Sequence, residues 1–398
     1  MKKTIFLLAL ILTTGFGLAK AREPKKAGTR IPVLAWHSIP ASETTLARYQ
    51  EMKDAGITTS LSFFPDMDAM ANALDVAKKA GVTLIAYCPE LKTDPEGTVK
   101  RFRNHPAVAA WMLRDEPCRT DFADLTAWTR RIRAVDEKHF CYLNLFPNYA
   151  NEQQLGTKTY QEHVELFVEE VPVQVISFDH YPVIGDSLRP GWYENLEIIS
   201  EAARKAEKPF WAFALAVAHG PYPVATVPQI RLQVYSDLAY GAQGIQYFTY
   251  WTPVDTQWDF HNGPITADGK RTEVYDRIRE VNREIKKLSK VFLGARVLSV
   301  THTGNMIPAG TKLLAQLPDP IRMLKTEGKG AVVSVLENGD KNYLVIVNRD
   351  FLSPMKLTLE CSPEVKRILK DGSDVLISAY ANTQEVDPGD AAIYRWEK

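Results

Sequence analysis

The chain has 398 residues, more than one ordinary hydrophobic core accommodates, and balances 48 Lys plus Arg against 48 Asp plus Glu for a formal charge of +0. That balance provides no uniform positive field, which excludes nucleic-acid binding and points to neutral or mixed ligands. The four cysteines, Cys88, Cys118, Cys141 and Cys361, are too scattered for a disulfide framework and lack the spacing of a zinc site; packed free thiols are expected, with a Cys88–Cys118 bridge as the alternative.

Met1-Lys2-Lys3, the apolar run Ile5 to Leu18 and the small-x-small end Ala19-Lys20-Ala21 have the layout of a secretory signal peptide over residues 1–21. The run is shorter than the roughly 20 residues of a membrane span and is broken by Thr13, Thr14, Gly15 and Gly17. Export to the periplasm or the medium, with no stable membrane insertion after cleavage, is therefore expected for a mature chain starting near Arg22.

From Ile31 onward, strand-length apolar runs alternate with longer helix-period stretches. Eight strands are predicted: Pro32 to Trp36, Ile57 to Phe63, Val82 to Tyr87, Val108 to Leu113, His139 to Leu145, Val173 to Phe178, Phe210 to Val217 and Gly244 to Tyr250. Helices are predicted over Thr44 to Ala55, Met67 to Ala80 and Val227 to Tyr240, each stopped by a glycine, and over Glu273 to Leu288, whose apolar stripe suits an outer helix. Such alternation favours a parallel sheet. The first turn, His37-Ser38-Ile39-Pro40, lacks the glycine-rich loop of an open dinucleotide-binding sheet, so the fold class expected is α/β, a (β/α)8 TIM barrel over residues 22–293.

After Leu293 the rhythm changes to short alternating runs: Arg296 to Thr301, Lys312 to Leu317, Ala331 to Leu336, Tyr343 to Asn348, Met355 to Leu359, Val375 to Ala379 and Ala391 to Trp396. Glu337-Asn338-Gly339-Asp340 is a hairpin signal. A small antiparallel β-sandwich domain over residues 294–398 is expected.

Residues closing the strands of such a barrel face a common bowl. They are His37, Phe64 and Asp66, Glu90, then Arg114, Asp115 and Glu116, followed by Asn144 and Asn148, Asp179, His180 and Tyr181, His219, and lastly Trp251, Asp255, Trp258 and Asp259. Carboxylates beside aromatic rings suit a sugar, whose hydroxyls meet the former and whose ring faces meet the latter. The sharpest of these ends is Trp111-Met112-Leu113-Arg114-Asp115-Glu116-Pro117. A carboxyl there, shielded by Trp111 or its neighbours and set beside Asp115, should have a raised pKa, and strand alternation turns Arg114 away towards the helices.

Arg114-Asp115-Glu116-Pro117 resembles the fourth-strand ending of the clan A glycoside hydrolases, whose glutamate there is the general acid/base; Phe178-Asp179-His180-Tyr181-Pro182 and Gly244 to Trp251 resemble their sixth and eighth endings. The small β-domain, with Pro388-Gly389-Asp390-Ala391-Ala392-Ile393-Tyr394 near its end, is similar to that of β-galactosidase-like members. The resemblance implies a glycoside hydrolase acting on an oligo- or polysaccharide, Glu116 as proton donor, Asp115 and Asp179 as its helpers, and His37, Glu90, Asn144, His180, Tyr181, His219, Trp251 and Asp255 as substrate-binding residues. No cofactor or metal is implied, since acetal hydrolysis needs only carboxyl groups.

One departure matters. Retaining members of the clan carry a nucleophilic glutamate after the seventh strand, where this chain reads Leu215-Ala216-Val217-Ala218-His219-Gly220. Three routes stay open: inversion with Asp179 or Asp255 as base, attack by a substrate 2-acetamido group oriented by Asp115, or direct displacement by Glu90 or Asp259. Two other classes are an inactive carbohydrate-binding barrel, which the missing nucleophile would produce, and a metal-dependent hydrolase built on His37, His180 and His219.

Overall fold

The computed structural model describes residues 29–255 and 257–398; the expected signal peptide lies outside the described residues. Eight parallel strands form the first sheet: β1 (Val33–Trp36), β2 (Thr59–Ser60), β3 (Thr83–Ala86), β4 (Val108–Asp115), β5 (Phe140–Asn144), β6 (Ile176–Phe178), β7 (Phe210–Leu215) and β8 (Gly244–Phe248). Each strand pairs with its sequence neighbour and β1 pairs with β8. The Leu145–Phe178 bridge, with Leu145 N–H donating to Ser177 O at 2.8 Å, joins β5 to β6 and closes the barrel.

The strand pleat separates two apolar sets. Leu34, Trp36, Ile85, Met112, Tyr142, Trp211 and Phe213 point inward and fill the barrel. Val33, Ala35, Leu84, Trp111, Leu143, Ile176, Ala212 and Ile245 point outward against the helices. Those helices are α1 (Leu46–Asp54), α2 (Met67–Ala80), α3 (Pro95–Phe102), α4 (Phe122–Val135), α5 (Tyr160–Glu170), α6 (Trp192–Lys205), α7 (Val227–Ala239) and α8 (Glu273–Lys287), with short turns between some of them.

Several helix starts are fixed by oxygen caps, among them Thr45 on α1, Asp66 on α2, Asp94 on α3, Thr159 on α5 and the Thr226–Gln229 capping box on α7. Gly81 ends α2 at φ 72°, a left-handed conformation that favours glycine. The expected elements match this barrel closely. The largest trim is at the second strand, where ladder pairing stops at Ser60 and the chain peels off towards Phe63.

The second domain has a six-stranded and a three-stranded antiparallel sheet. The first runs β9 (Arg296–His302), β11 (Ala331–Asn338), β12 (Lys341–Asn348), β17 (Ala391–Glu397), β14 (Lys366–Ile368), β15 (Asp374–Leu376). The second runs β10 (Ile321–Glu327), β13 (Met355–Cys361), β16 (Thr383–Val386). Between them Val333, Val335, Leu344, Ile346, Leu357 and Tyr394 form a separate core. One expectation is corrected: Lys312 to Leu317 makes only a bridge from Leu313 to His302, and the strand lies at Ile321–Glu327, where pairing with β13 satisfies its backbone.

All four cysteines are free, so the Cys88–Cys118 alternative does not occur. Among the described residues no helix is long and apolar enough to cross a membrane.

Candidate active site

β4 delivers its last residues to the barrel mouth with a bulge. Its register against β5 slips between Met112 and Arg114, after which Asp115 pairs with Asn144. The guanidinium of Arg114 turns the opposite way from Asp115, as expected, and meets Asp121 at 3.2 Å; with Met112 inward and Leu113 outward, it is the bulge that sets this phase. Asp115 turns inward. Glu116 follows at φ 45°, held there by its N–H on Asn144 O at 2.8 Å.

Asn144 organises the carboxylates. Its Nδ2 donates to Asp115 Oδ1 at 3.3 Å and to Asp179 Oδ1 at 2.9 Å. Its own oxygen accepts from Ser177 Oγ at 2.9 Å, and Gln246 Nε2 donates to that serine at 2.8 Å. Tyr142 Oη lies 2.9 Å from Ser177 Oγ and donates to Gln246 Oε1. This polar floor, buried in the barrel, fixes the amide so that its N–H groups face the carboxylates.

The electrostatics follow from that geometry. Burial, opposed by the bonds from Asn144 and the Glu116 backbone, raises Asp115 to about 6. Burial and then the Asp115 charge raise Glu116 to about 7. Asp179 is raised well above the usual carboxylate range by burial, then by Glu116 and Asp115. Asp115 is open to solvent on the mouth side yet crowded by protein elsewhere, Glu116 is half-buried, and Asp179 is 8% exposed. Trp111 is not their shield: it points outward, its Nε1 bonded to Asp136 at 2.9 Å.

Other expected residues divide. Tyr181 stacks on Phe248 at 5.4 Å, and its hydroxyl partly offsets the rise in the Asp179 pKa. His180 is 1% exposed, with Nδ1 on Asn195 Oδ1 at 3.0 Å, and burial holds its pKa near 4, so it is neutral. His219 sits in an aromatic wall with Phe260 at 4.6 Å, Tyr222 at 4.7 Å and the half-exposed Trp258 at 5.8 Å. His37, partly exposed at φ 45°, closes β1 and is held neutral by burial.

Three expected residues are engaged otherwise. Trp251 is buried in the helix-side core with Arg48 5.1 Å over its ring, because the chain has already left the barrel interior there. Asp255 is exposed and accepts from Gln257 N and Trp258 N, closing its own loop. Glu90 begins a helical turn beside Cys88, one oxygen buried without a partner. Asp66 caps α2, Phe64 is core, Asn148 holds Gly191 O, and Asp259 accepts from Gly220 N at 2.9 Å. Among the described residues no three His, Cys, Asp or Glu side chains could hold a metal ion.

The sequence reading missed the floor residues Tyr142, Ser177 and Gln246, and the rim residues Phe63, Tyr87, Tyr149, Arg189 and Tyr222. Phe63 is 48% exposed and meets Tyr87 edge-on at 5.0 Å. The floor had a legible signal: Ser177 and Gln246 are polar residues at inward positions of otherwise apolar strands. A cleft of about 710 Å³ lies elsewhere, between α6 and β9, and includes none of the strand-end residues.

Residues 130–288 match the family model described as Beta-galactosidase. Compared by sequence with curated proteins, the chain matches none. Among solved structures it is similar to Gan42B, a β-galactosidase from G. stearothermophilus, in a catalytic mutant form (10% identity, 93% of this chain and 99% of that one, TM-score 0.65). It is also similar to a β-galactosidase from Bacillus circulans sp. alkalophilus (10% identity, 92% and 99%, TM-score 0.62). It spans 60% of the length of the β-galactosidase from the psychrophilic Marinomonas ef1 (12% identity, 65% of this chain, TM-score 0.49). The chain folds as a TIM barrel with a C-terminal β-domain, the architecture it shares with these β-galactosidases, and part of its barrel matches their family model.

Proposed function

We propose that the protein is an exported glycoside hydrolase in which Glu116 protonates the departing glycosidic oxygen and a 2-acetamido group of the substrate attacks the anomeric carbon. The observation that carries this reading is the pair at the end of β4: a glutamate raised to about 7 beside an aspartate raised to about 6, with the nearest guanidinium turned out to Asp121. Near pH 6.5 such a pair holds one proton on the acid and leaves a charge on its neighbour, as the chemistry requires. The basic start, apolar run and small-residue end of the first 21 residues support export.

Several observations support the acetamido route over the other two. Inversion needs an ionised, water-accessible base, whereas Asp179 is buried with a raised pKa and Asp255 closes its own loop. Direct displacement needs a carboxylate at the anomeric carbon; Glu90 lies against Cys88 and Asp259 is committed to Gly220. Asp115 is solvent-open and accepts from Asn144 Nδ2, which suits it to accept the acetamido N–H as well. The acetamido oxygen then attacks C1 as the C1–O bond breaks and Glu116 delivers its proton. Water, deprotonated by the Glu116 carboxylate, opens the resulting ring with overall retention.

A glycan panel containing 2-acetamido and 2-hydroxy sugars tests this, with the product anomer followed by NMR. Glu116→Gln should lower kcat by about 10² to 10⁴-fold, and successive fluorination of the acetamido methyl should slow the wild type because it weakens the attacking oxygen. Cleavage of 2-hydroxy substrates at equal rate would overturn the acetamido route. A wild type that binds glycans but cleaves none would establish the carbohydrate-binding alternative, which the carboxylate-free end of β7 favours.

A further inference from the structure

Between β6 and α6 the chain forms a two-stranded ribbon, Val183–Ile184 against Ser187–Leu188, and then presents Arg189. Arg189 N–H donates to Pro182 O at 2.6 Å, which fixes where the ribbon returns. The guanidinium carbon stands 4.2 Å from the ring centre of Tyr149 and 5.8 Å from that of Tyr222, and Nη2 donates to Tyr222 Oη at 2.8 Å. Two aromatic faces therefore hold a cation in place without neutralising it.

A guanidinium has five N–H donors in a planar fork. Here the Tyr222 hydroxyl takes one, Nε is buried without a partner, and no ion pair to Arg189 is formed among the described residues. Beside it lies the His180 ring, 1% exposed and edge-on to Tyr149 at 5.0 Å; its Nδ1–H donates to Asn195 Oδ1, so it packs against the patch and gives an anion no donor. The free N–H donors of Arg189 in this half-buried place carry a desolvation cost, which a bound anion would offset.

The patch adjoins the carboxylates. Tyr222 packs on Tyr181 at 6.0 Å, and the charge of Asp179 is felt at both Tyr181 and Tyr149. A negatively charged sugar entering a bowl that carries the Asp115 charge is repelled unless a cation receives it, and Arg189 stands on the rim where it could do so. We infer that Arg189, flanked by Tyr149 and Tyr222, is an anion-recognising subsite that selects a hexuronate carboxylate on the sugar next to the bond cleaved. A carboxylate fits the planar fork in two parallel hydrogen bonds.

The inference deepens the glycoside-hydrolase reading and rests on it for its kinetic arm, so a binding arm is added that does not. Titration of the Glu116→Gln protein with a short uronate-containing oligosaccharide, its uronate methyl ester and a sulfated neutral analogue should show the acid bound about ten- to a hundred-fold more tightly than the ester. Arg189→Gln should abolish that preference while leaving ester binding unchanged, and Arg189→Lys should restore part of it. In the wild type the same ratio should appear in kcat/KM. Equal binding of acid and ester, preference for the sulfated analogue alone, or parallel weakening of acid and ester in both Arg189 variants would overturn the subsite. Arg189-dependent binding without hydrolysis would uphold it and remove the hydrolase reading instead.

Discussion

Glu116 occupies φ 45°, a left-handed conformation that a non-glycine residue adopts at roughly 1–3 kcal/mol. The bond from its N–H to Asn144 O keeps it there, so local strain places the acid beside Asp115. With Asp115 near 6 and Glu116 near 7, kcat/KM should rise as pH passes 6, where Asp115 ionises, and fall as pH passes 7, where Glu116 loses its proton. Both limbs report the pair rather than single residues. Because the Asp115 charge is one of the two causes that raise Glu116, Asp115→Asn should lower the Glu116 pKa and move its titration to lower pH. Carboxyl ¹³C NMR on that variant reads the shift directly, without needing activity; a Glu116 titration that stays put would show that burial alone sets it.

At the scale of elements, the barrel was legible because each strand is a short apolar run followed by a helix with its own cap or glycine stop. The end of β4 was legible too, since Arg-Asp-Glu interrupts an apolar strand, but the outward turn of Arg114 depends on the bulge after Met112, which no local pattern announces. Trp251 was not, because beyond Phe248 the loop path, rather than strand period, decides which way a ring points. Arg189, Tyr149 and Tyr222 come from three different loops, and no local pattern links them. Lys312 to Leu317 and Ile321 to Glu327 alternate alike, and only pairing with β13 separates them. Helix α7 shows the same limit: nearly every residue from Gln229 to Ala239 is buried, including Asp237, whose Oδ2 has no partner among the described residues. Burial raises Asp237 well above the usual range. A raised carboxyl binds its proton more tightly folded than unfolded, so it costs stability increasingly as pH rises above the unfolded value of about 4. Asp237→Asn should therefore flatten the stability curve on the alkaline side, with a melting-temperature advantage over wild type that is larger at pH 8 than at pH 5. An advantage independent of pH would mean that the carboxyl does not titrate in the way its burial implies.

At the scale of the molecule, the burial of α7 has a second cause: the C-terminal domain covers it. Val332, Leu336, Tyr343, Val345 and Val347 lie on the face of the six-stranded sheet turned to the barrel and belong to the barrel's own core cluster, whereas Val333, Val335, Leu344 and Ile346 face the other sheet. Ser334 Oγ donates to Ala239 O at 2.7 Å, and Asn338 Nδ2 to Leu293 O at 2.9 Å. A Cβ on Gly241 would stand 2.7 Å from Val297 Cγ2, so the end of α7 is closed against β9. Arg231 of α7 pairs with Glu284 of α8 at 2.5 Å, and Lys370 and Asp390 of the second domain meet beside them. Each large apolar side chain so buried contributes about 1.5–3 kcal/mol, and several together rival the 5–15 kcal/mol that a folded domain commonly has in total. The two domains should therefore unfold in one calorimetric transition, and a chain ending at residue 293 should bind a hydrophobic dye and aggregate rather than fold as a free barrel. Two separated transitions, with the truncated chain melting at the temperature of the first, would instead make the interface a loose contact and leave the burial of α7 without a stabilising role.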